Sequence, residues 1–201
     1  SIATLPNENG EDELYMIVKR TIDSTTKRYI ERMKAFDFGD DTTTAFFVDS
    51  GLTYSGAATG SLSGLYHLKG ESVSSLVNGS THPDRTVSGG GITLAVNATS
   101  AAVGLNYTSR LQTLRLESGS ADGTSQGKPK RIHAVTLRLH ETVGVEVGSS
   151  TADVDRIPFR SSGTAMGAAI DLFTGDKEVE FQGGFDEDDQ IVVQQSQPLP
   201  L

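Results

Sequence analysis

Cysteine and tryptophan are both missing from the 201 residues. Without cysteine there is no disulfide to staple the chain and no thiolate to hold a metal. Without tryptophan, and with aromatics at only 6 % of residues, a sugar-binding platform loses its commonest ring. The Tyr and Phe residues lie mostly inside strand patterns, which weakens a carbohydrate-binding reading further. Long apolar runs are missing too: none approaches the roughly 20 residues needed to cross a bilayer. Positive charge is scarce, with 17 Lys and Arg against 26 Asp and Glu and a net charge of −9. General adhesion to nucleic acid depends on cations neutralising phosphates, so that class is disfavoured. The acid excess serves solubility or, more sharply, an acidic wall along which nucleic acid slides without sticking.

What is abundant is Gly (22 residues), Ser and Thr, the composition of many short strands and turns. The start, SIATLPNENGEDE, is polar and acidic and does not read as a secretory signal. A Ser start and an abrupt QPLPL end lead to the expectation of a piece of a longer polypeptide, although removal of an initiator Met would leave the same start.

The chain turns on residues 36–56, FDFGDDTTTAFFVDSGLTYSG, with an apolar and basic segment before it and Gly/Ser/Thr-rich strands after it. Residues 1–13 read as a frayed acidic arm. Residues 14–22 (LYMIVKRTI) are apolar on both parities, as in a strand covered on both faces. After a turn at Asp23-Ser24-Thr25-Thr26, residues 27–33 return as a hairpin partner. The competitor is a helix, with Tyr29, Met33 and Phe36 at i, i+4 and i+7 and Asp23 or Ser24 as its cap.

From 52 to 110 the pattern predicts a compact series of short strands. Residues 72–77 precede Asn78-Gly79, a strong hairpin signal because both central positions of a type I′ turn need positive φ. Ile92, Leu94 and Val96 alternate onto one face, Gly89-Gly90-Gly91 marks a bend, and 103–107 is a further strand. Beyond these, strands are expected at 111–116, 131–139, 143–147, 156–160, 170–173, 177–181 and 190–195. In the second of them His133, Val135, Leu137 and Leu139 share a face, while Arg138 points away. The class is all-β: short-strand antiparallel sheets in a sandwich or barrel, without βαβ units.

Several motifs fail on their context. Gly123-Thr124-Ser125-Gln126-Gly127 spells a nucleophile elbow but lacks the strand before and helix after that would hold Ser125 at a strained apex. The same loop is not a phosphate cradle, since Asp122 replaces the first glycine and Pro129 the Ser/Thr. Asp186-Glu187-Asp188-Asp189 does not follow the order of a calcium loop and reads as a solvated turn, a loose surface cation site being the sharper alternative. His67, His82, His133 and His140 do not cluster; they read as structural or surface residues. The sequons at Asn78, Asn97 and Asn106 read as turn and loop residues. No cofactor is expected.

Seven stretches, in order, carry a resemblance: KRTIDSTTKRYIERMKAFDF, FFVDSGLTYSG, SGLYHLKGESVSSLVNGSTHPDRTVSGGGITL, VGLNYTSRLQTLRLE, QGKPKRIHAVTLRL, LFTGDKEVEF and DQIVVQQSQPLPL. Over nearly the whole chain this order resembles the C-terminal part of the tail nozzle, or tail tubular protein B-like, family of short-tailed phages and prophages. The resemblance implies an N-terminal arm and hairpin of a propeller-like or sandwich-like main body at 1–50. It implies an inserted small β-barrel at 51–110 and a return to the body at 111–201. It implies a homo-oligomeric ring, typically six-fold, that continues the tail tube below an adaptor protein and through which DNA passes only in transit. The location would be the virion tail, after synthesis in the host bacterial cytoplasm, with no membrane insertion by this segment. A non-sticking lumen needs acidic walls; the candidates are the loops with Asp37, Asp40 and Asp41 and with Asp186, Glu187, Asp188 and Asp189. Two other classes compete with a structural, non-catalytic virion protein. One is a receptor- or glycan-binding β-module acting through the loops around 78–85; the other is a hydrolase using Ser125.

Overall fold

The computed structural model describes residues 1–117, 123–181 and 184–201. Asp122, the residue that breaks the phosphate-loop pattern, lies outside the described residues. The fold is all-β, built of antiparallel sheets with two short 3-10 turns, and falls into two compact units. The first holds residues 1–106 with 167–169, the second residues 107–166 with 170–201.

The first unit opens with a three-stranded sheet, in the order β1 (Ile2–Pro6), β2 (Asp12–Ile22), β3 (Thr25–Arg32). Residues 14–33 are thus a hairpin and not a helix. Its turn is tighter than expected: Ile22 pairs with Thr25, leaving only Asp23 and Ser24 (φ 49° and 59°) in a type I′ geometry that suits the twist of the flanking strands. The N-terminal residues are not a frayed arm. They form β1, which pairs with β2 from Ile2↔Met16 to Pro6↔Asp12. Asn7 makes this possible, because its side-chain oxygen accepts from the amides of Asn9 (2.8 Å) and Glu11 (2.9 Å) and closes the turn.

The same unit contains a four-stranded sheet in the order β4 (Asp49–Ser63), β7 (Gly91–Leu105), β5 (Ser72–Val77), β6 (Ser80–Thr86). Asn78 and Gly79 (φ 50° and 77°) make the expected two-residue turn between β5 and β6. The strands at 92–96 and 103–107 are not separate: β7 runs through both for 15 residues, opposite an equally long β4. Between Thr93 and Ala98, β7 advances five residues while β4 advances two, from Ser61 to Thr59. Val96 falls in this bulged stretch and is 55 % exposed, whereas Ile92 and Leu94 are buried, so the regular alternation breaks there.

No closed barrel forms, since β4 and β6 are the sheet's edges among the described residues. Closure is not needed to cover the core. Leu65, Leu68 of the 3-10 turn Tyr66–Leu68, and Val87 fill its open side and pack with Leu62, Val73, Val77, Ile92, Ala98 and Val103. Where β4 and β7 begin and end, Gly51 and Gly104 cross closely: a Cβ on Gly104 would lie 2.7 Å from both the Asp49 carbonyl and the Gly51 Cα. Asp49 pairs with Leu105, so the two ends of this four-stranded sheet lie side by side.

The second unit holds β8 (Ser109–Gln112), β9 (Ala134–Thr142), β10 (Glu146–Ser150), β11 (Asp153–Arg156), β12 (Phe173–Glu180) and β13 (Val192–Gln195). One sheet has the order β11-β10-β13-β8 and the other pairs β12 with β9. Val135 and Leu139 of the second share one core with Val145, Val147, Ile157 and Phe181, which makes a small sandwich. His133 precedes β9 and is exposed, so it does not share the Val135 face. The strand expected at 177–181 is longer and begins at Phe173 as β12, whereas residues 170–172 of the strand expected at 170–173 stay outside it. Pairing with β9 carries β12 through Gly175, where the register shifts by one residue.

Candidate functional site

The two acidic loops predicted from sequence belong to different units. In the first, Asp37, Asp40 and Asp41 are exposed and lie on a loop whose shape is internally fixed. The Asp37 carboxylate accepts from the Gly39 amide (2.9 Å), and Asp41 caps the 3-10 turn Thr42–Thr44 by accepting from the Thr43 amide (2.8 Å). The Phe36 and Phe38 rings meet Phe47 edge-on at 6.1 and 5.6 Å between centroids. Phe36 is still 76 % exposed. None of the three carboxylates has a cation partner among the described residues. The loop thus carries three carboxylates without a cation partner among the described residues, next in sequence to an exposed aromatic ring.

In the second unit, Asp186, Glu187 and Asp188 are exposed, but Asp189 departs from the solvated turn expected of all four. Its side chain is buried, with Oδ2 lacking a hydrogen-bond partner among the described residues, and its carbonyl accepts from the Leu116 amide (3.2 Å). Asp188 is compensated by Arg115 at 3.0 Å. Asp186 is latched by paired backbone hydrogen bonds with Lys130. Among the described residues no three His, Asp or Glu side chains stand together as metal ligands would.

The histidines have separate local duties. His82 is buried; one ring nitrogen accepts from the Ala95 amide (2.8 Å), which leaves the other to donate to the Pro83 carbonyl. His67 bonds the Ser50 carbonyl at 2.8 Å and meets Tyr29 edge-on. Ser125 sits where its carbonyl accepts from the Lys128 amide in a turn, with no helix following it among the described residues. Asn78, one of the sequon residues, is occupied by the β7 backbone: its oxygen accepts from the Thr99 and Ser100 amides.

Sequence reasoning missed the ionic clamp that joins the hairpin to β4. Arg20 on β2 reaches Glu31 (3.0 Å) and both oxygens of Asp49 (2.8 Å), and the Ser50 hydroxyl donates to Glu31 (2.9 Å). The Arg20 hydrogen bond holds the Glu31 carboxyl below its ordinary range against the opposing effect of burial, with Ser50 adding to it. A separate network in the second unit surrounds buried Glu146, which accepts from Arg156, Gln194 and Ser196. Burial pushes that carboxyl up, and the three donors together outweigh it and hold it low.

The hairpin's other face corrects the expectation of a strand covered on both faces, because this side of it is open. Cross-strand partners share a face, so Thr21-Thr26, Lys19-Arg28 and Ile17-Ile30 form successive rungs, followed by Tyr15-Arg32. The Thr21 and Thr26 hydroxyls, 2.8 Å apart, mark that side. It is open: Ile30 is 78 % and Ile17 48 % exposed.

No protein-family model matches the chain, and comparison with curated proteins finds no match. Among the described residues no helix is long and apolar enough to cross a membrane.

Proposed function

We propose that the chain is a structural part of a phage tail, a segment of the nozzle or tube that forms the DNA exit conduit, and that it acts by assembly without catalysis. The observation that carries this reading is the ordered resemblance of seven stretches to the tail nozzle family. The all-β framework supports it, since a conduit wall requires rigidity and protected edges and has no need of a nucleophile or cofactor. The Asp49↔Leu105 pairing supports an inserted module at 51–110, because an insertion needs its two ends adjacent. The proposed assembly is a ring of identical copies, six-fold as in the family it resembles, docked to an adaptor in the virion tail. Acidic loops line its lumen and repel phosphates.

Negative-stain imaging of the protein tests this directly. Rings with a central hole are expected; isolated particles at high concentration would overturn the reading. A receptor- or glycan-binding module is the alternative, and one observation favours it. Tyr66 is exposed and its ring packs so closely against Gly90 that any Cβ there would collide with it. Saturable binding of host polysaccharide that is lost in Tyr66→Ala would establish that reading in place of the conduit.

A further inference from the structure

Lys19 and Arg28 face each other across the β2–β3 ladder, and neither has an anionic partner among the described residues. Like charges directly opposite on a sheet repel, so this rung costs stability in the isolated chain. The adjoining rung, Ile17-Ile30, exposes two aliphatic side chains to water. An anionic and apolar partner would relieve both defects at once.

The hairpin is also a charge outlier. Residues 14–33 carry five cations (Lys19, Arg20, Lys27, Arg28, Arg32) against two acids (Asp23, Glu31), in a chain whose net charge is −9. Its natural complement is therefore the rest of this same protein. The loop 36–41 fits best, since it carries exposed Asp37, Asp40 and Asp41, without cation partners among the described residues, together with the exposed Phe36. The alternative acidic loop is less suited, because Arg115 already neutralises Asp188 and Asp189 is buried. Within one copy the Ile17-Lys19-Arg28-Ile30 face remains uncovered, so the loop that covers it must come from another.

We propose that the open face of the hairpin, centred on Lys19, Arg28, Ile17 and Ile30, is an interface that receives the 36–41 loop of a second copy of this chain. Lys19 and Arg28 meet the carboxylates, and Phe36 packs against the two isoleucines. Donor loop and receiving face are different surfaces, so the contact is heterologous and propagates around a ring when its rotation closes. The inference rests on the assembly reading in that the chain works as several copies. It assigns the 37–41 acids to the contact between copies and leaves Asp186 and Glu187 as the candidate lumen wall.

The test is sedimentation of the 201-residue chain from about 10 μM to 1 mM, the span of weak association. Lys19→Glu/Arg28→Glu and, separately, Asp37→Lys/Asp40→Lys are each expected to weaken self-association about tenfold or more. The chain carrying all four changes restores it, because the charges are exchanged and not removed. All these positions are exposed, and circular dichroism checks that each variant is folded. Self-association unaffected by either reversal, or not restored by the exchange, overturns the interface while the ring images still decide the tail reading. A wild-type chain that stays monomeric throughout also overturns it. So does retention on heparin or DNA that disappears in Lys19→Glu/Arg28→Glu without any self-association, since the partner would then be an anionic polymer.

Discussion

The two sheets of the first unit are held by different forces. The four-stranded sheet encloses an apolar core in which Leu65, Leu68 and Val73 are almost completely buried. The three-stranded sheet buries only Ile22; every other residue of β1, β2 and β3 is exposed or half-buried. The hairpin is tied to β4 by the Arg20, Glu31, Asp49 and Ser50 cluster, with an outer ion pair from Asp23 to Lys69 after the 3-10 turn and with Ile22 alone joining the apolar core of the larger sheet. Burial acts over a whole surface and resists local opening, whereas a few hydrogen-bonded charges make a latch. The hairpin is therefore expected to open locally without unfolding the sheet beside it.

The largest break in that comparison is on the apolar side. Leu68→Ala should cost about 2–5 kcal/mol, through lost transfer energy and the cavity left behind. It should appear as a lower thermal midpoint and as lost amide protection in both sheets. Arg20→Ala should cost less, about 1–2 kcal/mol, because Glu31 loses a charged donor in a half-buried site while Asp49 stays partly solvated. Hydrogen exchange should find that loss in β2 and β3, with β5 and β7 protected as before. Equal loss in all four strands would mean that the hairpin is not a separate element.

Acid sharpens the contrast with a smaller effect. The Glu31 carboxyl titrates below its unfolded value, so its stabilisation is complete above about pH 4.3, the ordinary glutamate range, and fades as pH falls through the lowered folded value. Hairpin amides should lose protection on that descent before those of β5 and β7. Glu31→Gln should be weaker at neutral pH and flatter in acid. Glu146 has the same sign in the second unit, where its loss would register in β10 and β13.

The sequence by itself determined the all-β class and the turn at 78–79, and favoured the hairpin at 14–33 over a helix, with a turn at 23–26 that the structure tightens to 23–24. These follow from local terms: β-branched runs on both parities, and residues able to take positive φ. It also showed an acidic chain with a basic segment, and placed Asp37, Asp40 and Asp41 on one loop. It did not show β1, whose turn to β2 is closed by the Asn7 side chain together with backbone bonds at 7–11. The length of β4 and β7 was hidden too, because bulges break the period-two signal at Val96 and small residues such as Gly51 and Gly104 carry no hydrophobic pattern.

Only the tertiary structure decided which charges are spent and which remain. Arg20 and Lys19 are neighbours in sequence and alike in charge, yet one is clamped between Glu31 and Asp49 and the other faces Arg28 in the open. Asp188 and Asp189 are likewise adjacent, one paired on the surface and the other buried. Charge compensation depends on distances between residues far apart in the chain, and the alternation of a strand sends neighbouring side chains to opposite faces. Composition counts such charges, and the fold assigns each one its partner.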